Sequence, residues 1–149
     1  MEISIPTDDE GYVLLKCSKC GSYFKITPTD YEDNKLLFIY CPSCGLSSDN
    51  YITEDVLELA IAMIKNVEVE LIYSEMKKWE RQLSNEMVTF KVGRKPSQEP
   101  ENPIRSSIEA LVIKHFRCCN RDAKIKPMLK FTGCYCPFCG VKEYEVECD

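Results

Sequence analysis

Tyr40-Cys41-Pro42-Ser43-Cys44-Gly45 returns late in the chain as Tyr135-Cys136-Pro137-Phe138-Cys139-Gly140, with Phe138 for Ser43 as the one change. Upstream of the first copy stands Lys16-Cys17-Ser18-Lys19-Cys20-Gly21, with twenty residues between Cys20 and Cys41. Two Cys-x-x-Cys pairs at this separation point to one tetrahedral ion, because each pair closes a tight knuckle that offers two thiolates at about 2.3 Å. Glycine after the last cysteine permits a positive φ and leaves backbone amides free to bond the sulfurs. Between the knuckles, Tyr23-Phe24-Lys25-Ile26-Thr27 and Lys35-Leu36-Leu37-Phe38-Ile39-Tyr40 are β-prone, so short antiparallel hairpins are expected to carry them.

The second unit repeats the plan. Cys119 followed by Lys124, Ile125 and Pro127 matches Cys20 followed by Lys25, Ile26 and Pro28 at the same offsets, as in an internal duplication. One ligand has drifted: Phe116 stands in the place of Cys17, with His115 before it and Cys118 two residues after. The expected second set is Cys118, Cys119, Cys136 and Cys139, with His115 or Cys134 as the substitute for Cys118. Cys134 and Cys148 otherwise read as small buried apolar residues. Val141, Tyr144 and Val146 alternate with charged residues, as in a closing edge strand.

Around these units the chain divides into 1–52 (first cysteine unit), 53–86 (a long helix), 87–103 (a short strand and a linker) and 104–149 (a short helix and the second cysteine unit). The linker Pro96-Ser97-Gln98-Glu99-Pro100-Glu101-Asn102-Pro103 has three prolines in eight residues and should run extended and solvated between the halves. The helix begins after Thr53, a good N-cap, with Glu54 and Asp55 where its dipole favours acid. Apolar residues recur at Leu57, Ile61 and Ile64, then at Ile72, Met76, Trp79 and Leu83, in gaps of three and four. Over 54–84 it would be about 46 Å long; Val67-Glu68-Val69-Glu70-Leu71 reads alone as a strand, so a break near Asn66 is the alternative. The shorter helix is signalled by Asn102-Pro103, with Ile104, Ile108, Leu111 and Val112 inward.

The chain has 149 residues, 44% apolar and 29% charged, and ten cysteines, and each cysteine unit is near the size below which a fold needs metal, disulfides or a partner. The first ten residues carry acid where a secretory signal needs base, and Val56 to Leu83 is interrupted by charge throughout, so export and a membrane span are not expected. In a reducing cytoplasm ten cysteines point to metal before disulfides. Residues 1–90 hold 8 Lys and Arg against 16 Asp and Glu, residues 91–130 hold 10 against 4, and the tail holds 1 against 4, for a net −5. Two all-thiolate zinc sites would bring the total to about −9, which opposes unspecific attraction to nucleic acid. Arg117, Arg121, Lys124, Lys126 and Lys130 in the second unit could still make a local basic face for a partner.

The first unit resembles the zinc ribbons of basal transcription factor IIB and related bacterial ribbon-containing proteins. That resemblance covers about 40 residues plus the degenerate second copy and implies Cys17, Cys20, Cys41 and Cys44 as zinc ligands. Together with the segments between them, the expected fold is a small α+β protein of two zinc-ribbon units connected by a long helix and a proline-rich linker. Ribbons dock on polymerases, bind nucleic acid or brace larger proteins, so fold alone names no task. The Cys-Pro-x-Cys-Gly knuckle also resembles rubredoxin, which implies iron and electron transfer instead. Four-thiolate sites leave no position for water, and no His-Glu-x-x-His, deaminase pattern or phosphate loop is present. The expectation is a non-enzymatic protein with two zinc ions per chain that docks on a protein partner, in a transcription or nucleic-acid-processing complex. The alternative is a nucleic-acid-binding regulator using the basic second ribbon. The helix stripe is expected to pack inside the monomer, with a face for self-association or for a partner as the alternative.

Overall fold

The computed structural model describes residues 2–105 and 110–144. The chain forms two compact units: Ser4–Glu54 with Arg105–Asp149, and Met1–Ile3 with Asp55–Ile104. Both cysteine segments therefore belong to one unit, and the long helix and linker make the other.

In the cysteine unit the elements are β1 (Val13–Lys16), β2 (Tyr23–Ile26) and a short helix α1 (Pro28–Tyr31); the helix α2 (Glu54–Leu83) intervenes. They recur as β3 (Val112–Phe116), β4 (Arg121–Ile125) and α3 (Pro127–Thr132), followed by β5 (Cys134–Tyr135) and β6 (Lys142–Glu143). The register Val13↔Ile26 in the first hairpin is matched by Val112↔Ile125 in the second. The two hairpins join edge to edge in a four-stranded sheet of order β1-β2-β4-β3. The joining pair is Lys25↔Lys124, antiparallel, and these are equivalent positions of the two repeats. Antiparallel pairing of equivalent residues is the isologous geometry of a two-fold axis, here inside one chain. Pairing also hides the inner edge that each hairpin alone would leave open.

The cores of both repeats merge around Leu15, Phe24, Ile26, Phe116, Ala123 and Ile125, with Cys134 and Phe138 beside them. The drifted ligand position explains itself here. Where the first repeat has Cys17 and Phe24, the second has Phe116 and Ala123, so one large ring has moved from the second strand of the hairpin to the end of the first while total volume is roughly kept, the kind of swap a core tolerates. Phe116 meets Phe138 edge-on at 6.4 Å, and Phe24 meets Tyr51 at 5.6 Å.

Two lysines lie at the axis, Lys25 and Lys124, only 3% and 7% exposed. Buried cations need a counter-charge, and Asp8 supplies it to both: its Oδ2 is 3.0 Å from Lys25 Nζ and 2.6 Å from Lys124 Nζ, with Glu10 3.3 Å from Lys124. Arg121 reaches across to Asp30 and Asp33 at 2.7 and 2.6 Å.

The helical unit differs from expectation in several places. α2 is continuous through Asn66, because the Asn66 side chain does not compete for its own backbone. Its amide donates to the Glu99 carbonyl at 3.0 Å and the Glu101 carboxylate at 2.9 Å, and its oxygen accepts from the Glu99 amide at 2.7 Å. The proline-rich segment is thus a strap tied along the helix instead of a free linker, with Gln98 on Glu70 at 3.1 Å and Lys95 paired to the same carboxylate. Residues 87–103, all of them described, form no strand. Of the short helix expected after Pro103, Ile104 and Arg105 are not helical and Val112 is in β3, where it must face Ile125; Ile108 lies outside the described residues. The closing edge strand is confined to β6, and Val146 lies outside the described residues. α1 and α3 add to what periodicity predicts, although Thr27-Pro28-Thr29-Asp30 is a capping signal: Thr27 Oγ1 accepts from the Asp30 amide at 3.2 Å. Among the described residues, no helix is long and apolar enough to cross a membrane.

Candidate metal centres

The hairpin ends place the cysteines. β1 ends at Lys16 and the chain turns through Cys17–Cys20 into β2, with the Gly21 amide donating to the Cys17 carbonyl at 2.8 Å. The same closure is made by Gly45 onto Cys41 and by Gly140 onto Cys136, each at 2.8 Å. All three glycines have φ between 72° and 76°. In the drifted knuckle the equivalent residue is Asn120, with φ 52°; asparagine is among the few side chains that tolerate this region. The drifted knuckle has kept its turn and changed only which residues offer sulfur.

The sulfurs of Cys17, Cys20, Cys41 and Cys44 all lie within 4.8 Å of one another, and so do those of Cys118, Cys119, Cys136 and Cys139. Four sulfurs at about 2.3 Å from one tetrahedral ion sit about 3.8 Å apart. Cys17 and Cys44 are 3.8 Å apart, Cys20 and Cys41 3.5 Å, and Cys118 and Cys139 3.4 Å. Both groups are therefore of a size and donor set to hold a metal ion, and the described residues hold two such four-cysteine groups.

Neither substitute ligand enters the second group. Alternate residues of a strand face opposite ways, so with Phe116 fully buried its neighbour His115 faces out, where it pairs with Asp122 at 2.7 Å. Cys134 is fully buried in the core, and Cys148 lies outside the described residues. Cys118 comes to the site because the turn after Phe116 carries it there, with its amide donating to Glu143 Oε1 at 3.1 Å. Replacing Cys118 with serine should release the second ion and, because the repeats share one core, weaken the first, read as metal per chain, whereas His115→Ala should leave metal content unchanged and cost no more than about 0.5 kcal/mol, as exposed sites do.

Backbone amides aim at the sulfurs. Those of Ser43 and Cys44 approach Cys41, and the equivalent amides of Phe138 and Cys139 approach Cys136. Burial nevertheless raises both thiols above their ordinary value in the absence of metal, Cys136 to about 12. At Cys20 burial is outweighed by hydrogen bonds from the Ser22 side chain and amide and from Cys41 and Cys17, and the thiol falls to about 6. A thiol that resists ionisation in a buried place is stabilised as thiolate only when a cation replaces its proton, which couples metal uptake to proton release.

Of the residues expected to form a basic face for a partner, two are held in ion pairs inside the fold. Arg121 and Lys124 are consumed by the internal ion pairs with Asp30, Asp33, Asp8 and Glu10, and Lys114 is buried. Arg117 and Lys126 remain at the surface and Lys130 is half-buried. In the cysteine unit, acid from the first half and base from the later segment neutralise each other. The feature underrated by sequence periodicity is the outer face of α2. Leu57, Ile61, Ile64, Leu71, Trp79 and Leu83 are between 45% and 60% exposed, while Ala62 and Asn66 are buried. No known family, curated protein or solved structure matches the chain.

Proposed function

We propose that this is a non-catalytic zinc-held adaptor, in which zinc braces a ribbon-like cysteine unit and the long helix docks on a protein partner. Two closed four-thiolate sites of tetrahedral dimensions support zinc as brace, since they leave no position for water or substrate. The observation that carries docking is the apolar stripe of α2. Large apolar side chains left half-exposed along about 39 Å of helix form a patch beyond what a soluble surface ordinarily shows. Glu68 and Glu75, both exposed, share that face, and the partner that fits it is an amphipathic helix with Lys or Arg set between its own apolar residues. The pairing of Arg121 and Lys124 within the fold counts against the nucleic-acid alternative.

Elemental analysis tests the brace: two zinc ions per colourless chain are expected, and red, iron-loaded protein would move the reading to electron transfer. Co-purification from the native host tests docking. Ile64→Glu with Leu71→Glu should abolish capture while leaving melting unchanged, because both side chains are already exposed; Arg117→Glu with Lys126→Glu should leave capture intact. The reverse pattern, with DNA binding that collapses steeply with salt, would establish nucleic acid as the partner, and concentration-dependent doubling of mass would make the partner a second copy.

A further inference from the structure

The two second knuckles clasp each other. The Tyr40 amide donates to the Pro137 carbonyl at 2.8 Å, and the Tyr135 amide donates to the Pro42 carbonyl at 3.0 Å. Each tyrosine ring lies on the glycine that closes the other knuckle. A Cβ at Gly45 would come within 2.7 Å of the Tyr135 ring, and one at Gly140 within 3.1 Å of the Tyr40 ring. Pro42 and Pro137 are fully buried. Even the minor pairing repeats: Tyr40 bridges to Ser47 as Tyr135 bridges to Lys142.

Every group in this clasp belongs to, or directly precedes, a metal-holding turn. Pro42 lies between Cys41 and Cys44, and Pro137 between Cys136 and Cys139. The direction of the Pro42 carbonyl is set by the turn that one ion closes, yet its acceptor role fixes Tyr135, whose next residue is a ligand of the other ion. The converse holds for Pro137 and Tyr40. A knuckle without its ion loses the constraint on its carbonyl and its glycine, and the opposite knuckle then loses an amide partner and a ring contact.

Accepting the metal-site reading above, we infer that the two four-cysteine sites are coupled through this clasp, so that an ion in either raises the affinity of the other. Coupling is reciprocal by thermodynamic necessity, and values of roughly 5- to 150-fold are usual where two sites share a structural element. The chain then exists mainly with two ions or with none, and the singly loaded form is disfavoured: a device that ties the fold to metal supply more sharply than two separate ribbons would.

Native mass spectrometry of the full chain, with zinc added to half saturation of the metal-free protein under reducing conditions, reads this directly. Independent equal sites leave about half of the molecules with one ion, and unequal sites leave more; a coupling of about tenfold between equal sites lowers that share to about a quarter. The singly loaded form should fall below half in the native chain and rise in Tyr40→Leu/Tyr135→Leu, which keeps all eight ligands and both amide bonds but loses the two ring contacts. A native chain with half or more of its molecules singly loaded overturns a coupling strong enough to disfavour the singly loaded form, as does a double variant that loads like the native chain. Should the double variant not fold, the native measurement alone decides. Failure to take up two ions at saturation would instead strike the metal-site reading itself, so the two failures are distinguishable.

Discussion

Cys41→Ser is expected to unfold the whole cysteine unit, and not the first repeat alone. The residue is fully buried, and it supplies one of four thiolates to its site. Structural zinc in small domains is worth on the order of 10 kcal/mol or more of apparent binding free energy, comparable to the entire stability of an ordinary domain. Two separate ribbons would confine the damage to residues near the site. Here β2 and β4 share one sheet, and Phe24, Ile26, Phe116 and Ile125 share one core, so collapse of the first knuckle removes packing from the second. Far-ultraviolet circular dichroism and zinc content, measured together, check it: both ions should be lost along with the strand signal. Retention of one ion with a folded second repeat would show that the repeats are independent.

The next largest effect is expected from Asp8→Asn. This one carboxylate bridges two lysines that are nearly inaccessible, and removing a partner from a buried pair leaves uncompensated charge at a cost of about 3 to 5 kcal/mol, less here because Glu10 stays near Lys124. Burial works against the Asp8 charge, but hydrogen bonds from Lys124, the Tyr12 amide and Lys25 outweigh it and hold its carboxyl well below the ordinary range. A carboxyl depressed in the folded state contributes stability that is present in full above its unfolded value, near about 3.9, and is lost as pH falls toward its folded value. The difference in stability between the native chain and Asp8→Asn should therefore be constant from about pH 8 to about pH 5 and should shrink below about pH 4. Acid also strips metal from thiolate sites, but Asp8→Asn leaves all eight cysteines in place, so urea midpoints of the pair at each pH isolate the Asp8 contribution. A difference that grows on acidification would assign the stability to another group.

Much of the metal chemistry is legible in local sequence, because a Cys-x-x-Cys-Gly knuckle is a short-range object. Spacing decides which sulfurs face one point, and a residue able to take positive φ decides where the turn closes. In the drifted knuckle spacing leaves His115 and Cys134 open beside Cys118, and it is the fold that brings Cys118 into the set, with Asn120 in place of glycine at the turn. The continuity of α2 is less legible, since Val67 to Leu71 alternate as a strand would and the helix depends on a strap thirty-three residues away that satisfies Asn66.

The first four-cysteine set, three members of the second, the internal repeat and the helical periodicity on either side of Asn66 follow from residue types at fixed short offsets, and could be read before any coordinates. Three features could not: the joining of the repeats into one sheet around a two-fold axis, the use of Arg121 and Lys124 as internal ion-pair partners instead of a basic face, and the grip of each knuckle on the other. They depend on which edges and charges meet across some hundred residues of chain. Local pattern carries the reach of a turn or a helix face, and it is the burial of shared apolar surface, summed over both repeats, that chooses among the ways such pieces can meet.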